Sequence, residues 1–303
     1  MSSAIKSFLT ISLSFFLWQN VYAIDYKIES YYYPSSKEAQ KIKSYPYETT
    51  LMVCCHYPDQ IESINLKSAG IKKLIIKGGH FPSLLQIKRL ESLKIPYEII
   101  LEEVFPSTQN INHLNNSTVS KLTVFSQDFP TLGEVQAFNQ LKINFRFNIT
   151  KNFYPLPEHM IVINQFNPNF TVAFYNEVPP GPGYANFFNN LRTHKIFVIT
   201  KKFPYGMDYV GLNLLTNSAV EFLPEERIMP QDLPILNAVD IKSSLWLTNP
   251  EPINDQILLL IQNLDLERIV ITDSGTGNLM SSEFIHLIQN SLSPITLKFF
   301  HYH

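Results

Sequence analysis

A chain that repeats itself at a fixed step folds as an array of like units, and this one repeats every 48 to 52 residues. Residues 71–101 lie on 119–149 without a gap. Lys73, Leu74, Phe81, Pro82, Leu84, Leu93, Lys94 and Ile95 recur as Lys121, Leu122, Phe129, Pro130, Leu132, Leu141, Lys142 and Ile143. Pro46-Tyr47-Glu48 returns as Pro96-Tyr97-Glu98 and opens the same kind of strand. On this step a repeat domain covers residues 46–303, with units starting near 46, 96, 144, 194 and 242 and a final strand near 294.

Each unit reads as strand, helix or turn, strand, helix. In the first, 50–55 is a strand, 59–69 a helical segment capped by Asp59, 74–77 a second strand and 82–93 a second helix. In the fifth, 245–248 and 269–272 are strands. Asn254 or Asp255 caps a helix over 256–264, and 281–292 carries Phe284, Ile285, Leu287, Ile288 and Leu292 at helical spacing. Strands joined through short helical crossovers run parallel. About ten such steps of about 25 residues fit between 46 and 303, whereas a (β/α)8 barrel closes at eight. The expected fold is therefore α/β, an open curved solenoid of parallel strand–helix repeats, with a closed (β/α) barrel as the alternative.

An aromatic residue followed by proline recurs after strands, at Tyr57-Pro58, Phe81-Pro82, Phe105-Pro106, Phe129-Pro130 and Phe203-Pro204. Proline suits a first helical turn and holds the preceding residue extended, so the ring folds back over the core. These pairs read as structural. The third unit is crowded with Pro155, Pro157, Pro168, Pro179, Pro180 and Pro182, which exclude a long regular helix. Its 178–183 stretch (VPPGPG) reads as an irregular loop, either decay of the repeat or an insertion that binds.

Of 303 residues, 45% are hydrophobic and 17% charged, a globular balance. A net charge of −2 argues against nucleic acid as a partner. The lysine-rich run from Lys67 to Lys94 reads as a solvated outer face, or else as a contact for an anionic partner. Residues 1–23 read as a signal peptide: Lys6, then the apolar 7–18 stretch (SFLTISLSFFLW), then Val21-Tyr22-Ala23 before the cut. The protein is thus expected to be exported, periplasmic or extracellular. No membrane span is expected after signal removal, and a tether only if the signal stays uncleaved. Residues 24–45 read as an N-terminal cap or linker. Cys54 and Cys55 are the only cysteines and are expected as free thiols, adjacent strand residues pointing to opposite faces. Eight histidines are scattered, His301 and His303 forming only an isolated pair, so no metal and no cofactor is expected.

Residues 245–264 (LWLTNPEPINDQILLLIQNL) and 266–292 (LERIVITDSGTGNLMSSEFIHLIQNSL) resemble leucine-rich repeats of the ribonuclease-inhibitor type. The family's turn asparagine or cysteine has no counterpart, Ser274 standing there after Ile271 and Gly79 after Ile76. The resemblance implies recognition of another macromolecule, a protein partner, on a concave strand face.

That face follows from strand alternation. If Leu74, Ile76, Leu122, Val124, Ile196, Val198, Leu245, Leu247, Ile269 and Ile271 point to the core, their neighbours point to the concavity. The binding candidates there are Phe125, Phe197, Ile199, Trp246, Thr248 and Phe300, the aromatics being the type enriched at interface hot spots. Strands apolar on both faces also fit a doubly buried parallel sheet. Residues 272–277 (TDSGTG) resemble an aspartic-protease or phosphate-binding loop. The second aspartate motif that protease chemistry needs is missing, and a plain strand-to-helix turn fits as well. Were the sheet to close, Glu102, Asp128, Lys201 and Asp273 at strand ends would converge, with Glu103, Glu225 and Glu226 as further acids, and a barrel-type hydrolase becomes the alternative. The first expectation remains a non-enzymatic binding protein. Asn115, Asn116, Asn148 and Asn169 stand in N-x-[ST] sequons.

Overall fold

The computed structural model describes residues 22–44, 48–192, 195–202, 204, 207–216, 218–223, 233–239, 243–248, 266, 268–273 and 295–299. Among them, nine strands are each followed by a helix: β1 (Tyr22–Ser30), α1 (Ser36–Lys43), β2 (Thr49–Cys55), α2 (Gln60–Ala69), β3 (Lys73–Gly78), α3 (Leu84–Leu93), β4 (Tyr97–Glu102), α4 (Thr108–Asn115), β5 (Lys121–Ser126), α5 (Leu132–Phe138), β6 (Asn144–Ile149), α6 (Pro157–Ile163), β7 (Thr171–Asn176), α7 (Pro182–Asn189), β8 (Lys195–Thr200), α8 (Met207–Asn213), β9 (Ser218–Phe222) and α9 (Leu233–Asn237). Strands β10 (Ser243–Thr248), β11 (Arg268–Asp273) and β12 (Ile295–Phe299) follow. No described helix is long and apolar enough to cross a membrane.

The structural unit is half the sequence step: one strand and one helix. Its helices start on a strict 24-residue rhythm. Ser35, Asp59, Ser83, Ser107 and Thr131 each accept a bond from the main-chain N–H three residues on, where Glu38, Glu62, Gln86, Asn110 and Glu134 reach back to the cap. Two otherwise unpaired donors are satisfied at each such start. Of the aromatics that precede a proline, Tyr57 and Phe81 are buried, as are Tyr33 and Tyr154 before prolines of their own, while Phe105 and Phe129 are half-buried against the core and Phe203 lies outside the described residues. The tyrosines among them also bond the next unit's main chain, the hydroxyls of Tyr33, Tyr57 and Tyr154 donating to the carbonyls of His56, His80 and Val178. In the proline-rich third unit two short helices form, each begun by a proline, Pro157 or Pro182, where the missing N–H costs nothing.

Helix ends repeat as strictly as helix starts. A fully buried apolar residue, Leu90, Leu114, Phe138, Ile163, Phe188 or Leu212, is followed by Glu91, Asn115, Asn139, Asn164, Asn189 or Asn213. Asn115, Asn139 and Asn189 donate to the carbonyls of Gln140, Gln165 and Leu214 one unit on, and accept from the N–H groups of Lys142, Asn167 and Thr216. Asn164 accepts from Arg192 N–H and Asn213 donates to Ala238 O. Glu91 can only accept, and does so from Thr118 N–H. Each such side chain thus staples its unit to the next. Asn139→Ala is expected to lower stability by about 2 kcal/mol, roughly 1 for each of its two bonds. A urea midpoint equal to the parent's would show that the staple contributes nothing.

Strand order in space is strand order in sequence, and every pairing is parallel. From β2 to β12 the strands form the expected curved array, whose outermost members do not pair with each other. What sequence reading treated as a cap or linker closes it. Tyr22–Tyr26 of β1 pair with Ile295–Phe299 of β12, while Tyr26–Ser30 pair with Thr49–Val53 of β2, so hydrogen bonding runs right round a ring. The closure seen is therefore that of the barrel alternative, with twelve strands in place of eight. Its cause lies in the register. From β1 to β6 neighbouring strands pair at a step of 23 residues, as in Thr50 with Lys73 and Glu98 with Lys121, against a helix-start repeat of 24. Each of these strands thus slips by about one residue against the last in the same sense, a stagger of the kind that closes a tilted sheet, while the later pairings vary in step, as in Ile196 with Ser218 and Ile269 with Ile295. The helices lie outside, and the core is the layer between them and the outward strand side chains such as Leu74, Ile76, Leu122, Val124 and Phe147, all fully buried.

Candidate functional site

The inward strand face has a different character from this core. Eight strands make a barrel just wide enough for side chains to fill, and twelve leave room. Thr50, Met52, Cys54, Lys73, Ile75, Lys77, Glu98 and Ile100 accordingly stay half-buried, alternating with outward neighbours that are dry. Where β2–β7 begin, a cavity of about 720 Å³ opens, lined by Glu48, Thr50, Lys72, Lys73, Pro96, Glu98, Ser120, Lys121, Asn144, Phe145, Asn169 and Thr171. This is the N-terminal mouth of the ring. Its size lies within the range of small-molecule pockets.

Opposite charges line this mouth. Lys73 Nζ lies 2.8 Å from Glu98 Oε1, and at the rim Lys72 pairs with Glu48. Further along the same face Lys77 lies 2.6 Å from Glu102 and Lys27 2.7 Å from Glu29. The bond to Glu102 holds the Lys77 ammonium above its usual range. Lys121 is the exception among the cavity's cations: among the described residues its ammonium makes no hydrogen bond or ion pair. Burial lowers its pKa, with Arg146 and Lys73 acting in the same direction and Glu98 and Glu221 against it.

Beyond Lys121 the interior tightens around Arg146. Its Nε donates to Asn148 Oδ1 at 2.8 Å, and Asn148 is 1% exposed. Its guanidinium carbon stands 4.8 Å from the centroid of the Phe197 ring, a cation–π contact. A further bond joins it to Tyr175, whose hydroxyl burial raises above its usual pKa, with Glu221 adding and Arg146 opposing. Tyr175 in turn lies against Phe125, ring centroids 5.8 Å apart. The guanidinium thus stands fixed on the strand next to Lys121, with the Glu221 carboxylate acting against it on both Lys121 and Tyr175.

The aromatic candidates divide. Phe125 and Phe197 point inward and are half-buried, and Ile199 points inward but is buried at 3% exposure. Phe125 meets Tyr175, and Phe197 meets Arg146. Trp246 and Thr248 lie in β10 by their backbones, paired with Val270 and Thr272 of β11. Their side chains, and all of Phe300, lie outside the described residues, as do Glu225, Glu226 and the glycines after Asp273. Of the acids expected to meet upon closure, Glu102 pairs with Lys77 and Asp128 with Lys151 at 2.7 Å, and the Asp273 side chain lies outside the described residues. No group of three potential metal-ligating side chains occurs among the described residues. Cys54 and Cys55 are free thiols. Burial, then a bond to Cys55, pushes the Cys54 thiol up to about 11, while Cys55 is exposed at φ 85°.

Sequence reasoning missed Glu98, Lys121, Arg146, Asn148, Tyr175 and Glu221. The signal was present: a charged residue at an alternate position of an apolar strand, as in YEIIL, NFRFN and SAVEF, is too costly for a second dry core. Comparison with family models, curated proteins and solved structures found no match.

Proposed function

We propose that the chain is an exported, non-enzymatic binding protein whose recognition surface is the inward strand face at the N-terminal mouth, and whose ligand is a small polar molecule. One observation carries this reading. The inward side chains around the cavity are charged or polar and half-exposed, whereas the outward ones of the same strands are apolar and dry. A ring serving only as a scaffold gains nothing from holding Lys73, Glu98 and Lys121 in its interior, because burying charge costs free energy. Binding is preferred to the carboxylate-pair hydrolysis that strand-end acids would perform, because that chemistry needs two carboxylates free to exchange protons. Here Glu98 and Glu102 are each engaged by a lysine. The export part rests on residues 1–23 alone. A protein partner is the second reading, favoured by the half-exposed Phe125 and Phe197, on which an extended segment of it could lie.

A thermal-shift screen against small polar compounds (sugars, amino acids, dicarboxylates, phosphates) tests the main reading. Thr171 lines the mouth and points inward, so Thr171→Trp is expected to plug it. A compound that raises the melting point of the parent should lose that effect in Thr171→Trp and in Thr50→Trp. If stabilisation survives both plugs, the ligand binds elsewhere.

A further inference from the structure

We infer that the mouth ligand carries an anionic group, a carboxylate or a phosphate, that is received by Lys121; this rests on the binding reading above. The cavity's charged residues are Glu48, Lys72, Lys73, Glu98 and Lys121. Two of its cations already hold its two carboxylates, Lys72 with Glu48 and Lys73 with Glu98. Lys121 is left over, with three donors and no acceptor of its own. It sits where β5 lies between β4 and β6, paired laterally with Glu98 on one side and Asn144 on the other. Asn144 lines the same cavity, and its amide, one N–H of which donates to the Ser120 carbonyl, keeps a second N–H.

The surroundings enlarge this surplus. Arg146, two residues beyond Asn144 on the same face of β6, cannot turn away: Asn148, Tyr175 and the Phe197 ring fix it. Its charge adds to that of Lys121 in a site partly removed from water, where charges act more strongly than in solution. An incoming anion relieves the repulsion between Lys121 and Arg146 and replaces the water that Lys121 gave up on burial. A neutral ligand does neither. The groups facing Lys121 are Glu98 from β4, Lys73 from β3, Arg146 from β6 and Glu221 from β9. Because the ammonium titrates below its usual value, anion affinity should decline as pH rises through that lowered value, earlier than for an exposed lysine.

The full chain is titrated with succinate, with inorganic phosphate and with neutral succinamide, following amide shifts by heteronuclear NMR. Tighter binding of succinate identifies a carboxylate ligand, and tighter binding of phosphate a phosphorylated one. Lys121→Met is expected to weaken the better anion at least tenfold and Lys121→Arg to restore most of the loss. Lys88→Met, exposed on α3, should bind as the parent does. Succinamide binding as tightly as succinate, or Lys121→Met binding as the parent does, overturns the inference. If neutral compounds alone give a plug-sensitive thermal shift, the anion site falls and the binding reading stands. If neither class binds, both fall.

Discussion

A chain beginning at residue 31 should associate in solution and unfold many degrees below the parent. Strand β1 joins the two ends of the array: its first half pairs with β12 and its second with β2. Removing it strips five residue pairs from each side and uncovers the facing edges of β2 and β12. Bare parallel edges are templates for pairing with another chain. Ile28, 1% exposed, adds about 1.5–3 kcal/mol of lost burial. With the ladder bonds at about 0.5–1.5 kcal/mol each, the total loss is roughly 5–10 kcal/mol, comparable with the whole stability of an ordinary domain. Light scattering and thermal unfolding read both effects. Ile28→Asp is the milder variant, keeping the chain intact while placing a charge in the core. Were the truncated chain monomeric with an unchanged midpoint, β1 could not be what joins the ends of the array. The export reading bears on the same strand, since cleavage after Ala23 takes Tyr22 and Ala23 from the β12 ladder and leaves three pairs.

The repeat, the parallel α/β class and the packing of Tyr57 and Phe81 before their prolines were legible, because each depends on residues local in sequence. Leu74, Ile76, Leu122 and Val124 were assigned to the core face and are fully buried there, although Ile75 between the first two is as apolar as they are and the sequence alone left the second face open. Closure was not legible in the same way. It follows from a slip of about one residue per strand from β1 to β6, which no single unit reveals, and from β1, whose tyrosine-rich polar segment looks unlike the later strands. The identities between 71–101 and 119–149 span two strand–helix steps, so the sequence unit holds two of the structure's. The asparagines at 115, 139, 164, 189 and 213 mark the single step, Glu91 standing at that place one step earlier. They were missed because a leucine-rich-repeat turn asparagine was sought after the strand, whereas here it ends the helix. The site was misplaced for a related reason: aromatic residues were weighed for hot-spot value, and the charges between them were overlooked. Glu98 and Arg146 are each flanked by apolar strand residues, and only in a ring too wide to fill can such side chains stay hydrated.

Phe138 tests how far one unit can stray from the common pattern. Its counterparts are the leucines Leu90, Leu114 and Leu212, with Ile163 and Phe188, and like them Phe138 is fully buried at the helix end. Around it the leucine pattern has been rebuilt in aromatic rings. Phe145 stacks on it with centroids 4.6 Å apart, and Phe147, Phe105 and Phe166 lie at 5.6, 6.0 and 6.3 Å. Phe138→Ala should therefore cost about 3–5 kcal/mol, the range for a buried ring whose cavity stays open. Rigid neighbours favour the upper end, since Phe145 and Phe147 are anchored in β6 and Phe166 lies between α6 and β7. Phe138→Leu restores the residue that neighbouring units use and separates two explanations. If the site is an ordinary repeat position, leucine should cost about 1 kcal/mol or less. If the surrounding rings have grown to fit phenylalanine, leucine leaves a void and loses aromatic contacts worth about 0.5–1.5 kcal/mol beyond area. The second outcome is expected, with leucine placed about midway between parent and alanine in urea unfolding. A leucine variant as stable as the parent would mean that the five rings share space without depending on one another.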